Sequence, residues 1–199
     1  MSFFVPSSTT TSEIIIKNSR FIATVFPCIS REILKEKYYQ LEQAHPKARH
    51  YCWAMICKEP NDSSGYGFSD DGEPSGTAGK PIFNVLHHQN IGHCGIIVTR
   101  YFGGIKLGTG GLVKAYTEAT KQGLDTANLT PFTPSITLTL TLPFSQESNL
   151  HHLCKEFNAT LLDTTYTTYI TATLTLNQEK REDLEATLTQ YFREIHLTQ

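Results

Sequence analysis

The chain has 199 residues, a length suited to one large domain or two small ones. Hydrophobic residues make up 39% of it, enough for cores, and no apolar run approaches a bilayer crossing, which excludes a helical membrane protein and any expected membrane partner. A net charge of −2 excludes a uniformly basic nucleic-acid binder, yet the charge is uneven: residues 1–135 carry 13 Lys and Arg against 11 Asp and Glu, and residues 136–199 carry 4 against 8, so any polyanion site belongs in the first part.

Residues 1–12, rich in Ser and Thr, read as flexible. No basic stretch followed by an apolar core opens the chain, so no signal peptide is expected. Ile14 to Ile16, a turn at Asn18-Ser19 and Phe21 to Phe26 predict a hairpin. Ser30 is placed to cap a helix running to about Ala44, with Ile33, Leu34, Tyr38 and Leu41 on one face. His50 to Cys57 is a strand, and residues 58–80 read as one long polar loop. Pro81 suits the first position of a short helix to about His88. Cys94 to Tyr101 is a buried strand, and a helix follows from about Gly110 to Asp125.

Pro131 to Pro134 reads as a linker between a first domain over 1–130 and a second over 136–199. Beyond it, Ile136, Leu138, Leu140 and Leu142 alternate with threonines, the mark of a half-buried strand. Ser145 is placed to cap a helix to Phe157, strands follow at about 159–165 and 168–176, and a helix over 178–191 and a short last strand close the chain. The order β-α-β-β-α-β is that of a ferredoxin-like sandwich, so the fold class is α+β in two domains.

Eight of the 13 glycines fall in two runs, Ser69 to Pro81 and Arg100 to Leu112. Glycine at that density lets backbone amides approach another group, and each run leads into a helix, where free amides favour an anion. Gly79-Lys80 is not a P-loop, because Pro74 and Pro81 occupy positions that must be Gly and Ser or Thr. A looser nest of amides at Gly76, Thr77 and Gly79, with Lys80 as counter-charge, is the reading that remains. In the second run Arg100, Lys106 and Lys114 surround the loop of Gly103, Gly104 and Gly110, positioned to converge on phosphates, with Tyr101 and Phe102 available to stack on bases. The bland alternative is that the aromatics fill the core and the cations are solvated. Asp70, Asp71 and Glu73 are turn formers or partners of Arg and Lys, or else acid-base or magnesium groups.

The five cysteines are odd in number and unpaired in pattern, which suits free thiols in a reducing cytoplasm. No Cys or His spacing matches a zinc site, so neither metal nor cofactor is expected.

The runs His50-Tyr51-Cys52-Trp53-Ala54, Asp70 to Pro81 and Arg100 to Leu112 resemble the signature of the IMPACT/YigZ family over about residues 12–125. The second half resembles the small C-terminal domain of bacterial YigZ-like members in its element pattern. The resemblance implies a first domain with the α+β fold of the second domain of a small-subunit ribosomal protein, and a ferredoxin-like second domain. It also implies an association with the regulation of translation. Three readings of function follow. The first is a non-enzymatic, cytoplasmic binder of RNA, the ribosome or a translation-associated protein, without DNA specificity. The second is an enzyme on a small phosphorylated or peptide-like substrate, with Asp71 and Glu73 as catalytic groups. The third is a pure protein-interaction module.

Overall fold

The computed structural model describes residues 2–191 and 196–198. The chain divides into two units, Phe3–Phe132 and a second from Thr133 onward. In the first unit the strands are β1 (Phe3–Pro6), β2 (Thr10–Ile16), β3 (Ser19–Pro27), β4 (His50–Ile56), β5 (Tyr66–Ser69), β6 (Cys94–Tyr101) and β7 (Leu129–Phe132). The helices are α1 (Arg31–Ala44), α2 (Gly79–His88) and α3 (Gly108–Thr126). Five strands form one sheet in the order β2-β3-β6-β4-β5, each pair antiparallel.

The period of two in the strands decides which residues face which helix. Phe21, Ala23 and Val25 on β3, Cys52, Ala54 and Ile56 on β4, and Ile96 and Val98 on β6 form one face, buried with Ile82 and Leu86 of α2 and Leu112, Tyr116 and Ala119 of α3. The opposite face, with Tyr51, Met55 and Ile97, packs on Leu34 of α1. The β2–β3 hairpin turns through Lys17 and Asn18, both at positive φ (46° and 62°), which matches the right-handed twist of the strands it joins.

Several sequence expectations need correction. Most of residues 2–12 lie in strands: β1 pairs with β7, β2 begins at Thr10, and the Phe3 ring packs against Phe132 and His93. The β1–β7 pairing places Pro131 and Phe132 in strand β7 rather than in a linker. The long loop after β4 is interrupted by β5, which adds a strand at the sheet edge through the pairs Trp53↔Ser69 to Ile56↔Tyr66. Pro81 is the third residue of α2, not the first, and Ser30 holds the N-cap position of α1 but makes no side-chain cap bond.

The second unit contains β8 (Ser135–Leu142), α4 (Glu147–Glu156), β9 (Thr160–Tyr166), β10 (Ile170–Asn177), α5 (Arg181–Tyr191) and β11 (His196–Thr198). Ser145 sits within a short 3-10 turn, Phe144–Gln146, and does not cap α4. The sheet order β11-β8-β10-β9, with antiparallel neighbours, is the ferredoxin-like arrangement. Its apolar face carries Leu138, Leu140, Leu142, Ala172 and Leu174, closed by Leu150 and Leu153 of α4 and Leu184 and Leu188 of α5. Among the described residues no helix is long and apolar enough to cross a membrane.

The glycines around Arg100 are not equivalent. A Cβ on Gly103 would lie 2.0 Å from the Asn18 carbonyl carbon, so the chain leaving β6 passes against the β2–β3 turn at a distance only glycine allows. A Cβ on Gly110, inside α3, would meet nothing within 4 Å. Gly103→Ala is therefore expected to lower unfolding free energy by about 1–3 kcal/mol through overpacking. Gly110→Ala is expected to leave it unchanged or raise it by up to about 1 kcal/mol. Urea denaturation of the two variants checks the contrast, and equal effects would contradict the packing described.

Candidate anion-binding cleft

The acidic loop between β5 and α2 is held by its own carboxylates. Asp70 accepts hydrogen bonds from the backbone amides of Gly76 (2.8 Å), Ala78 (2.9 Å) and Gly79 (2.8 Å). Burial pushes its carboxyl up, but the three donors outweigh that, and its pKa is lowered overall. The amide nest expected at 76–80 thus exists, but it is filled from within by Asp70. A Cβ on Gly79 would lie 2.7 Å from the Ser69 backbone, the approach that closes this turn. Thr77 turns its hydroxyl onto the Pro74 carbonyl (2.6 Å). Lys80 is not the counter-charge of the nest: its Nζ sits over the rings of Phe83 (5.0 Å) and Phe68 (5.4 Å).

Asp71, at φ 43°, fixes the loop to its neighbours. Its carboxylate accepts from the Tyr51 amide (2.6 Å) and the Tyr38 hydroxyl (3.2 Å). The Asp71 carbonyl accepts from His50 Nδ1 (2.8 Å), which fixes the proton of the neutral ring on that nitrogen. Both carboxylate oxygens of Asp71 are therefore occupied structurally rather than presented to a substrate.

Glu73 carries the loop into the core. It is 9% exposed, and its Oε1 accepts from Arg100 Nη1 (2.5 Å) and the Tyr116 hydroxyl (2.8 Å). Cys52 Sγ lies 3.2 Å from the Tyr116 oxygen and 2.9 Å from the Asp70 carbonyl. Burial, with Cys52 and Glu73 beside it, raises the Tyr116 pKa, so Tyr116 stays a protonated donor. Burial likewise raises Cys52, which stays a thiol. Arg100 is 6% exposed and lies between the rings of Phe21 (5.4 Å) and Phe102 (5.7 Å). Its Nε is buried without a hydrogen-bond partner.

Above this pair opens a cleft of about 390 Å³, lined by residues that include Arg49, His50, Glu73, Arg100, Phe102, Lys106, Gly108 and Thr109. Sheet register builds it: β4 pairs with β6 so that His50 stands opposite Arg100. The remaining wall is the N-terminus of α3. Leu107, which precedes it, offers no side-chain cap, and its first turn contains no acidic residue. The amides there are left for water or a ligand and carry the positive end of a 19-residue helix.

The structure therefore gathers Arg100, Phe102 and Lys106 and adds Arg49 and His50, which sequence reasoning missed. Arg49 left no local signal, because it reaches the cleft only through the β4–β6 register. The other sequence candidates lie elsewhere. Lys114 is exposed on α3 and does not line the cleft. Tyr101 bonds His45 Nδ1 through its hydroxyl (3.0 Å), with Arg20 over its ring (5.1 Å), so it is not free to stack on a base. Gly103 packs on the β2–β3 turn, while Gly104 and Gly110 are exposed. Among the described residues no group of three or more His, Cys, Asp or Glu is arranged to hold a metal ion.

Asp70 makes a prediction about pH. Its folded-state pKa lies below the ordinary aspartate value, so its contribution to stability is full above the unfolded value and disappears as pH falls through the folded one. Asp70→Asn should cost about 1.5–3 kcal/mol at pH 7, the scale of hydrogen bonds to a charged acceptor. The gap from the unsubstituted protein should close in acid. A gap that stayed constant from pH 7 to below the folded pKa would show that the carboxylate charge does not hold the turn.

The same residues place the chain among known proteins. A family model described as the Impact N-terminal domain matches residues 17–124, which contain every residue lining the cleft, and one described as a domain of unknown function (DUF1949) matches residues 140–193. An IMPACT family member of Haemophilus influenzae is 35% identical over 188 residues, 94% of this chain and 91% of the relative. The IMPACT family member YigZ of Escherichia coli is 35% identical over 192 residues, 96% of this chain and 94% of the relative. A crystal structure of a hypothetical protein aligns over 98% of this chain and 96% of its own, at 34% identity and a TM-score of 0.67. With both domains matched in order and relatives aligned over nearly the full length, the chain belongs to the IMPACT family.

Proposed function

We propose that this protein binds RNA phosphates in the cleft, as a non-enzymatic component of the translation apparatus. The observation that carries the reading is the convergence of Arg49, Arg100 and Lys106 on the uncapped N-terminus of α3. A buried guanidinium is costly unless it is paired, and Glu73 and two aromatic rings hold Arg100 in place. Arg49 and Lys106 are exposed around it and bring charge to the cleft mouth. Phe102, 43% exposed, offers a ring beside the cations on which a base can stack. The association with translation comes from the family resemblance. The acidic second unit is assigned to a protein partner rather than to RNA, because its charge would repel phosphates.

Charge reversal tests this reading. Arg49→Glu/Lys106→Glu should weaken binding of single-stranded RNA at least tenfold. It should also flatten the dependence of log K on log salt by about 0.7–1.4, the value for one to two lost phosphate contacts on a single strand. Lys80→Glu/Lys114→Glu changes net charge equally but lies outside the cleft, so it should have a clearly smaller effect. Equal losses from both pairs in a fluorescence-anisotropy salt series would dismiss the cleft as the site.

A further inference from the structure

Resting on that reading, we infer that the cleft selects a terminal phosphate monoester, the dianion carried by a nucleotide or by the 5′ end of an RNA, over the monoanionic diester within a strand. Three features carry this, and the first is depth. Arg100 lines the cleft and is 6% exposed, with its Nη1 held by Glu73 and its Nε fully buried. A phosphate that approaches this guanidinium must enter the cleft, and a terminal group does so with one ester bond trailing behind it. An internal diester has two ester links and only two free oxygens to bring to it.

The second feature is charge. Arg49, Arg100 and Lys106 supply three cations against the one carboxylate of Glu73, and the positive end of α3 adds to the difference. The excess matches a dianion. A diester would leave about one positive charge unbalanced in a partly desolvated site. A phosphate monoester carries close to two negative charges near pH 7 and three acceptor oxygens, enough to meet helix amides and two side chains together.

The third feature is size. A volume of about 390 Å³ is near the lower end of ligand sites and suits one nucleotide unit, not a length of strand. Phe102 and Leu107 provide the apolar wall beside the charged one, where the sugar or base of the same nucleotide would lie.

The experiment uses the full chain and two single-stranded RNAs of one sequence, labelled at the 3′ end, one with a 5′-phosphate and one with a 5′-hydroxyl. Adenosine monophosphate and inorganic phosphate serve as competitors. The phosphorylated RNA should bind at least about tenfold more tightly, the scale of one or two added charge-assisted bonds. Adenosine monophosphate should compete, and Arg49→Ala or Lys106→Ala, both at exposed positions, should remove the preference. Equal affinity for the two RNAs, with binding still lost in Arg49→Glu/Lys106→Glu, would overturn the selection and leave the RNA reading intact. Binding of adenosine monophosphate without binding of either RNA would uphold monoester selection, with a free nucleotide as the source, and overturn the RNA reading. Binding of none of the probes would overturn both.

Discussion

The buried pair of Glu73 and Arg100 is the interaction on which the site depends. A buried guanidinium at the end of a central strand is costly unless an opposite charge is fixed beside it. Glu73 supplies that charge from a loop that is distant in sequence, and the Tyr116 hydroxyl ties the same oxygen to α3. One carboxylate therefore joins β6, α3 and the acidic loop. Removing either partner would leave a charge buried alone, which costs more than the pair itself contributes.

The two remaining acids of the loop explain how Glu73 is held in position. Asp70 folds the glycine turn around its own carboxylate, and Asp71 bonds the loop to β4 and α1. Their density in the sequence resembles a catalytic or metal-binding cluster. Their contacts show three carboxylates directed at three separate sets of donors. The positive charge that lines the cleft comes from Arg49, Arg100, Lys106 and the start of α3. A cleft built this way has its geometry fixed by contacts within the protein, so the proposed anion would need little ordering on binding.

Much of the fold was legible in the sequence because its signals are local. The Ile-Thr-Leu-Thr alternation of β8 fixes a half-buried strand, and the apolar run from Cys94 to Tyr101 fixes the central one. β1, β5 and β7 were not legible, because each is four residues long and is defined by its partner strand rather than by its own pattern. The site divides in the same way. Arg100, Phe102 and Lys106 share one stretch of chain with the helix start, so sequence groups them, and all three line the cleft. Arg49 joins them only through strand register, and Lys114 leaves them because its position on α3 turns it away from the cleft. The amides at Gly76 and Gly79 misled, because nothing in a glycine count reveals that Asp70 fills the turn.

The most direct test of the cleft is to follow backbone amide and arginine Nε signals by two-dimensional NMR while a 5′-phosphorylated single-stranded RNA is titrated in. The largest shifts are predicted at Gly108 to Gly111, at Arg49 and at the Arg100 side chain, with Gly76 to Gly79 nearly still because their amides already bond Asp70. Shifts concentrated at Gly76 to Gly79 and Lys80, with the start of α3 unmoved, would contradict the cleft as the phosphate site.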